Sequence, residues 1–306
     1  MRKTYKIIVT LSIAIGILLL FTHFFSDKIA HATGSNSTDT SDDTVVYLSP
    51  HADDETLTFA VPILNDIRAG KKVYMVLMSD GSGSVARNVI NGKFDDDSSR
   101  NAGKTIRCKW HKVYHNPTPT PHSNGVMNRT ILLNQYKDGA LDRKTFGLRR
   151  IDEFYVATAK LGIPRERVQI NLIPNNAFTY SNVKQIIQMN VRLFPNAAFK
   201  TMSHTDGHQN HAMVGKVIND MHANGEIKSK ANYLSIYTDR FYENSFASPG
   251  YKLHLTDTSD KQKVLDALYV YKKWDPKNGW YGLGYHSVPA QFDGMAQDTY
   301  TKVVRN

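Results

Sequence analysis

The chain has 306 residues, of which 41% are hydrophobic and 22% are charged, so it can bury a substantial core and is not disordered throughout. Its net charge is +10, and the excess is concentrated in residues 87–150, which hold 13 Lys or Arg and 5 Asp. Such a segment either attracts anionic polymers at long range or is simply a solvated basic loop. No nucleic-acid recognition motif accompanies it, so nucleic acid is not an expected partner.

Residues 1–32 have the pattern of an export signal or a membrane anchor. Three basic residues precede a largely apolar run at 7–25, which is close to the length of a membrane-spanning helix. Ala30-His31-Ala32 has the small residues of a signal-peptidase site, so both cleavage and retention stay open. We therefore expect a protein that is secreted or anchored on the outer face of the cytoplasmic membrane.

Two further features agree with export. Residues 33–43 are polar and lack apolar anchors, which predicts a flexible linker. The single cysteine, Cys108, fits an exported protein without an internal disulfide and is interpreted as a small buried hydrophobic residue.

From residue 44 onward the hydrophobic pattern alternates between strands and helices. A strand at 44–49, a helix at 54–69 and a strand at 72–78 predict a βαβ unit with a parallel sheet. The alternation continues with a helix at 148–161, a strand at 168–173, a helix at 183–194, a strand at 197–202, a helix at 211–222, a strand at 233–237 and a helix at 259–271. The pattern predicts one α/β domain with a Rossmann-like three-layer fold and a mainly parallel sheet, whose site lies beyond the carboxyl ends of the strands.

The run Pro50-His51-Ala52-Asp53-Asp54-Glu55 directly follows the first predicted strand. It places one imidazole and three carboxylates where desolvation of negative charge is costly. A bound cation would offset that cost, because histidine and carboxylate are both good Zn²⁺ ligands. An exposed acidic turn is the alternative, but it does not explain why the run lies between a buried strand and a helix.

A second histidine motif, His208 to His211, lies beyond the fourth predicted strand. Two histidines three residues apart at the start of a helix can face the same way, so one can bind a metal while the other faces a substrate. The motif is weak by itself in a chain with 12 histidines. Its position at the same sheet edge as the first motif gives it weight.

Together the two motifs resemble the PIG-L/LmbE-like family of zinc-dependent N-acetylglucosaminyl deacetylases, and the resemblance spans about residues 44–220. Ser79-Asp80-Gly81 is similar to the family's loop after the second strand. Arg150 to Glu153 is similar to its Arg-x-x-Glu helix. The order of these features along the chain supports the resemblance.

The resemblance implies roles for five residues. His51, Asp54 and His211 would bind Zn²⁺ or another divalent metal, and Asp53 would be the general base. His208 would be the acid or the oxyanion partner, in a positively charged state that can protonate the departing amine.

Three further residues are candidates for support or substrate contact. Glu55 would orient a ligand without binding the metal. Arg150 would either hold a substrate hydroxyl or phosphate, or form an ion pair with Glu153 on the helix surface. Asp80 would either line the site or cap a turn.

The resemblance therefore predicts a deacetylase domain at 44–306 with a basic insertion at about 87–147. Its substrate would be an N-acetylated amino sugar in a glycan or glycoconjugate, and an anionic cell-wall polymer is a possible partner of the insertion. A surface glycan-binding protein that has lost catalysis on the same fold is the alternative, although binding alone would not require Asp53 and His208. A dinucleotide-dependent oxidoreductase is disfavoured, because no Gly-x-Gly-x-x-Gly follows the first strand.

Overall fold

The computed structural model describes residues 43–84, 86–91, 106–107, 114–115, 136–242 and 249–305. The predicted signal or anchor, nearly all of the predicted linker, Cys108 and most of the basic insertion lie outside the described residues. Within the described part of the chain, no helix combines the length and the hydropathy that crossing a bilayer requires.

The described residues form eleven strands and nine α-helices. The strands are β1 Thr44–Ser49, β2 Lys72–Leu77, β3 Ile106–Arg107, β4 Tyr114–His115, β5 Val168–Ile170, β6 Ala198–Met202, β7 Ser229–Leu234, β8 Gly250–Leu253, β9 Trp274–Asp275, β10 Trp280–Tyr281 and β11 Thr301–Val304. The helices are α1 Asp54–Leu57, α2 Ala60–Arg68, α3 Ala86–Ile90, α4 Arg143–Lys160, α5 Tyr180–Leu193, α6 Gln209–Ala223, α7 Lys261–Lys272, α8 Leu283–Ser287 and α9 Pro289–Gln297.

The main sheet has seven strands in the order β5-β2-β1-β6-β7-β11-β8. The first five of these are parallel, and they are the five strands that the sequence predicts. The mainly parallel α/β fold is therefore confirmed. The last two strands, β11 and β8, pair antiparallel and extend one edge. Neither has the continuous apolar run of a buried strand, so the sequence pattern did not reveal them.

Helices cover both faces of the sheet, which gives the three predicted layers. Alternate residues of β1 point to opposite faces: Val45 and Tyr47 enter one hydrophobic cluster, and Val46 and Leu48 enter the other. The first cluster includes residues of α1, α2, α4, α7 and α9, and the second includes residues of α5 and α6. Strand β1, buried on both faces, is thereby fixed at the centre of the sheet.

The predicted helix at 54–69 is interrupted. Helix α1 ends at Leu57, and the backbone N–H groups of Thr58 and Phe59 both donate to the carbonyl of Asp54 before α2 begins at Ala60. The nitrogen of Pro62, four residues on, has no hydrogen to donate to the Thr58 carbonyl, which accepts from Oγ1 of Thr301 instead. Pro62 therefore interrupts the helix locally, and a contact with the far end of the chain satisfies the carbonyl that it leaves free.

The predicted strand at 233–237 is also displaced, because β7 spans Ser229–Leu234 and a π-helix follows at Tyr237–Phe241. The backbone N–H of Ser235 donates to the carboxylate of Asp206 at 2.7 Å. This bond takes the donor that a longer strand would use for sheet pairing.

A buried charge cluster joins β1, β6 and α2. The carboxylate of Asp66 accepts from the Tyr47 hydroxyl and from Lys200 Nζ, each at 2.6 Å, and from Lys71 Nζ at 3.0 Å. Against the effect of burial, Lys200 and the other hydrogen bonds lower the pKa of Asp66. For Lys200, burial outweighs the attraction of Asp66 and lowers the pKa. The cluster therefore stabilises the fold as long as Asp66 is ionised.

Replacing Asp66 with asparagine should lower the free energy of unfolding at pH 7 by about 2–3 kcal/mol, because it removes charged hydrogen bonds. A carboxyl group whose pKa is depressed in the folded state stabilises it above the ordinary value of 3.8 and ceases to do so below it. Denaturant unfolding of both proteins should therefore show a difference at pH 7 that shrinks below pH 3.8. Asp298→Asn, at an exposed carboxylate, is the matched control. An undiminished difference in acid would contradict the role assigned to Asp66.

Candidate active site

A cavity of about 540 Å³ lies where the parallel strands end. Its lining comes from the segments that follow β1, β2, β6 and β7, together with Arg150 on α4 and side chains of α8 and α9. This is the sheet edge at which the sequence predicts the site. His51, Asp53, Asp54, Arg150, His208 and His211 all line this cavity.

Three donor atoms form a compact triangle inside the cavity. His51 Nδ1 lies 3.1 Å from His211 Nε2, and Asp54 Oδ2 lies 3.4 Å from the first atom and 3.3 Å from the second. Ligand atoms around a tetrahedral Zn²⁺ ion stand about 3.3 Å apart, given bond lengths of about 2.0–2.1 Å. The donor set of His51, Asp54 and His211 therefore fits a divalent cation in both chemistry and spacing.

A second grouping of donors is looser. Ring nitrogens of His51, His208 and His211 all lie within 4.8 Å of one another. The His208 ring stacks on that of His211, with the centroids 4.5 Å apart. A site of three histidines is therefore an alternative to the triangle that contains Asp54.

Electrostatics favours a cation at the triangle. Against burial, the charges of Asp54 and Asp206 raise the pKa of His211 to about 10. Also against burial, His211 and His51 hold the pKa of Asp54 well below its usual range. Without a metal, a protonated His211 ring offsets one of its two carboxylate neighbours, and a divalent metal ion in place of that proton would balance both.

Two polar residues fix the rings of the triangle. Asp206 Oδ1 lies 3.2 Å from Nδ1 of His211, and its carboxylate also accepts from Thr238 Oγ1 and the Ser235 backbone. The Asn210 amide lies 3.0 Å from Nε2 of His51. A half turn of that amide would present its oxygen to a proton on Nε2 and leave Nδ1 free for a metal.

Asp53 has an unusual backbone conformation, with a φ of 124°. A non-glycine residue in this region costs about 1–3 kcal/mol, which the surrounding structure must supply. The Asp53 N–H donates to Glu55 Oε2 at 2.9 Å, and Asp53 Oδ2 accepts from Arg150 Nη2 at 2.8 Å. The Asp53 carboxylate therefore pairs with Arg150, whereas that of its neighbour Asp54 belongs to the triangle.

Burial and the charge of Arg150 act in opposite directions on the pKa of Asp53. Burial raises the pKa of Asp53 to about 6, although the charge of Arg150 lowers it. Conversely, the charges of Asp53 and Glu153 outweigh burial and raise the pKa of Arg150. Asp53 is thus a buried carboxylate that can hold or release a proton near neutral pH, which suits a general base.

Glu55 lies behind the site and makes no contact with the triangle. Its carboxylate accepts from the hydroxyls of Tyr271 at 2.6 Å and Thr56 at 2.7 Å, as well as from the Asp53 backbone. Burial raises the pKa of Glu55 to about 8, although these hydrogen bonds lower it. Glu55 therefore holds the strained turn in place, while its expected role in orienting a metal ligand stays a prediction.

His208 caps the start of α6. Its Nδ1 accepts from the backbone N–H of Asn210 at 3.3 Å, which leaves Nε2 to carry the proton of a neutral ring. Burial and the charges of His211 and His51 lower the pKa of His208 to about 4. The ring is thus neutral near pH 7, whereas the sequence interpretation makes it positively charged. A neutral Nε2–H can still donate a hydrogen bond into the cavity.

Arg150 is buried and lines the cavity, so contact with a substrate stays a prediction. Nη2 donates to Asp53 and to the backbone carbonyl of Ala52, and Nη1 donates to Ser287 Oγ at 3.1 Å. The expected surface pair with Glu153 is wrong, because this face of α4 packs inward against α7 and α8. Glu153 instead accepts from the backbone N–H groups of Leu283 and Gly284.

Asp80 caps a turn. Its Oδ1 accepts from the Ser82 backbone at 2.9 Å and from Asn176 Nδ2 at 3.2 Å. It does not line the cavity, whereas its neighbours Ser79 and Gly81 do. Of the two roles that the sequence leaves open, the structure favours the cap.

Sequence reasoning missed several residues at this site: Thr58, Asp206, Asn210, Tyr271, Ser287 and Gln291. Asn210 lies within the second histidine motif, so its position was a signal. Asp206 lies five residues before His211, where a carboxylate can orient a ligand. The other four belong to no local pattern and meet the site only through tertiary packing.

Residues 46–222 match the family model PIG-L, which is described as GlcNAc-PI de-N-acetylase. This match covers more than half of the chain and includes both histidine motifs. A comparison with curated protein sequences finds no match.

Several solved structures resemble the chain at low sequence identity. N,N'-diacetylchitobiose deacetylase from Pyrococcus horikoshii is 12% identical with a TM-score of 0.47, covering 86% of this chain and 83% of that protein. A deacetylase triple mutant from the teicoplanin biosynthetic pathway is 13% identical with a TM-score of 0.49, and the coverages are 86% and 98%. GalB, the 4-carboxy-2-hydroxymuconate hydratase from Pseudomonas putida, is 12% identical with a TM-score of 0.47, and the coverages are 86% and 95%. At this identity they carry no residue roles to this chain.

Proposed function

Because this chain belongs to the PIG-L family, we propose that it is a metal-dependent de-N-acetylase that hydrolyses the acetamide of an N-acetylated amino sugar. The observation that carries the proposal is the arrangement at one cavity of a donor triangle for a cation and a separate buried carboxylate, Asp53. Metal binding alone would not require Asp53 in a strained turn beside the triangle.

His51, Asp54 and His211 would hold the metal, for which Zn²⁺ is the leading candidate. When bound, the metal supplies Lewis acidity and lowers the pKa of a coordinated water. The Asp206 carboxylate and the Asn210 amide keep the two imidazoles aimed at the ion. The supporting observation is the spacing of the three donor atoms, at 3.1–3.4 Å.

Asp53 would move the proton. The water oxygen bonds to the acetamide carbon while the Asp53 carboxylate takes the water proton. When the C–N bond breaks, the amine nitrogen takes a proton from Asp53, and acetate and the free amine leave. Arg150 holds the carboxylate in one orientation for both transfers.

His208 would stabilise the oxygen that becomes negative as the carbonyl carbon is attacked. Its neutral Nε2–H would donate to that oxygen, while Nδ1 stays bonded to the Asn210 backbone. This role differs from that of a cationic acid, because a protonated Nδ1 would break the helix cap. The proton that the leaving amine needs then comes from Asp53.

Acetate release tests this proposal. With N-acetylglucosamine oligomers and N,N'-diacetylchitobiose, the full chain should release acetate, lose this activity with a chelator and regain it with Zn²⁺. His211→Gln should lose bound metal, whereas His208→Gln should keep it if the triangle with Asp54 is the site. Equal metal loss in both variants would favour the site of three histidines. Absence of acetate release from every N-acetylated sugar in metal-loaded protein would sink the proposal.

We also propose that the enzyme acts outside the cytoplasm and that the basic segment brings it to an anionic cell-wall polymer. Both ideas rest on the sequence of residues 1–44 and 87–150. Fractionation of the producing cells, and sedimentation with purified cell walls at two salt concentrations, would test them. Binding that does not fall with salt would argue against an electrostatic role.

A further inference from the structure

Part of the cavity wall comes from residues beyond 222, where the family match ends. Helix α9 packs against α1 and places Gln291 in the cavity lining, opposite the segment that follows β1. The side chain of Gln291 is only 9% exposed. The family match ends before these residues, so the family's sequence motifs do not specify which side chains form this wall.

The Gln291 carboxamide has no hydrogen-bond partner among the residues that the structure describes. A carboxamide offers two donors and one acceptor, and the Gln291 amide is not among the fully enclosed unpaired atoms, so it opens to the cavity that Gln291 lines. Only its backbone N–H is bonded, to the carbonyl of Val288 at 3.1 Å. The free side-chain amide therefore points to a ligand that supplies both an acceptor and a donor.

A second unpaired polar group lies beneath the same lining. Oγ1 of Thr58 is buried and has no partner in the described part of the chain, although the Thr58 backbone is fixed at both its N–H and its carbonyl, so this hydroxyl meets a ligand only when the side chain rotates. The apolar side chains of Leu57, Ile236 and Val288 also line the cavity. Hydrogen bonds made in such surroundings are stronger than those in water.

The charge of the surroundings limits the ligand. Gln291 and Thr58 are uncharged, the cavity lining contains the carboxylates of Asp53 and Asp54, and the lining's guanidinium, Arg150, is bonded to Asp53. A phosphate or carboxylate of a substrate would find no counter-charge on Gln291 or Thr58. A sugar hydroxyl, which both donates and accepts, fits the two unpaired groups.

We propose that Gln291 and Thr58 form a specificity-determining subsite that hydrogen-bonds uncharged hydroxyl groups of the amino sugar. This inference rests on the proposed function and deepens it, because it names the part of the substrate that is recognised by the cavity wall beyond residue 222. Neither residue touches the reacting atoms. They contribute to the affinity for the amino sugar and to the discrimination between sugars.

Apolar replacements of similar shape test the subsite. Gln291→Met and Thr58→Val remove the hydrogen-bonding groups and nearly preserve volume, and Thr58→Val also removes an unpaired buried polar group. Both variants should therefore melt at the same temperature as the parent or higher, yet lose about 3- to 10-fold in kcat/KM through a higher KM. A purely structural role would instead lower the melting temperature. Gln297→Met, at the exposed end of the same helix, is the matched control and should change neither quantity.

The substrate series makes the test specific. The probes are N,N'-diacetylchitobiose and analogues that each lack one hydroxyl of the nonreducing ring. The parent should lose about 3- to 10-fold in kcat/KM with at least one analogue, and Gln291→Met or Thr58→Val should lose that discrimination. Full discrimination in both variants, or a parent that treats all analogues alike, would overturn the subsite.

Calorimetric binding of the same sugars separates this inference from the proposed function. If the parent binds the sugars in a hydroxyl-dependent way but releases no acetate, the proposed function fails and the subsite stands. If acetate is released without any dependence on these hydroxyls, the subsite fails and the proposed function stands. A parent that neither binds nor hydrolyses the sugars overturns both. If one variant does not fold, the other carries the comparison.

Discussion

Replacing Asp53 with asparagine should lower kcat for acetate release by about 10²–10⁴-fold, the range that a positioned general base contributes. Asparagine keeps an oxygen that can accept from Arg150 Nη2, and it tolerates positive φ better than most residues. It cannot take a proton from water. The loss should therefore be chemical, with metal content close to that of the parent.

Initial rates, metal content and melting temperature measured together check this expectation. Asp152→Asn is the matched control, because Asp152 is an exposed carboxylate on α4 whose partner is Arg149. A variant at position 53 that keeps half of the parental rate would refute the assignment of the base. An inactive variant that also lacks metal would show that Asp53 acts on the ion and not on the proton. If the chain is instead a glycan-binding protein that has lost catalysis, the unsubstituted parent will already release no acetate.

Much of the site was predictable because its chemistry lies in two short motifs at the carboxyl ends of parallel strands. His51 and Asp54 follow β1 directly, and His211 lies in the first turn of the helix after β6. Parallel strands bring such distant residues to one edge. Local order along the chain was therefore enough to bring the two motifs together, whereas the choice of Asp54 over Asp53 and Glu55 as a donor came from the family resemblance.

The remaining parts depend on contacts between residues about a hundred or more positions apart. Arg150 was recognised as a candidate, but its partners, Asp53, Ala52 and Ser287, are 97, 98 and 137 residues away. Gln291 lies on a helix that the sequence pattern did not predict at all. Hydrophobic periodicity reports which face of a helix is buried, and it does not report which polar group meets that face.

Two predicted elements, the helix at 54–69 and the strand at 233–237, differ in their bounds from the observed ones. Pro62 leaves the Thr58 carbonyl without an intrahelical donor and Thr301 bonds to that carbonyl, while the bond from Ser235 to Asp206 ends β7. Both interruptions lie at the cavity, where Thr58 and Ser235 are part of the lining. Departures from local propensity at a functional site are expected, because the contacts made at the site, and not helix or strand propensity, decide the backbone conformation there.

Replacing Arg150 with methionine should cost about 3–5 kcal/mol of folding free energy, which is the usual effect of removing one partner of a buried ion pair. In a protein of this size that loss lowers the melting temperature by roughly 6–20 °C. Methionine can fill the space of the aliphatic stem, but it leaves the Asp53 carboxylate, the Ala52 carbonyl and Ser287 Oγ without their donor. Activity should fall as well, because nothing then orients the carboxylate of the base.

Arg149→Met is the matched control on the same helix. Arg149 is partly exposed and pairs with Asp138 and Asp152 near solvent, so its loss should cost about 1 kcal/mol. Arg150→Lys keeps the charge without the planar fork and should recover only part of the stability. A smaller loss at position 150 than at position 149 would contradict the buried pair.

A double-mutant cycle isolates the pair itself. Combining Asp53→Asn with Arg150→Met removes both charges, so the double variant should be less destabilised than the sum of the single variants, by at least about 1.5 kcal/mol. Additivity within about 0.5 kcal/mol would mean that Arg150 stabilises the fold through Ala52 and Ser287 alone. A strong coupling, together with activity lost in all three proteins, would identify Arg150 as the residue that positions the catalytic carboxylate. The buried pair would then have two linked functions, since it would keep the strained turn folded and hold Asp53 beside the metal.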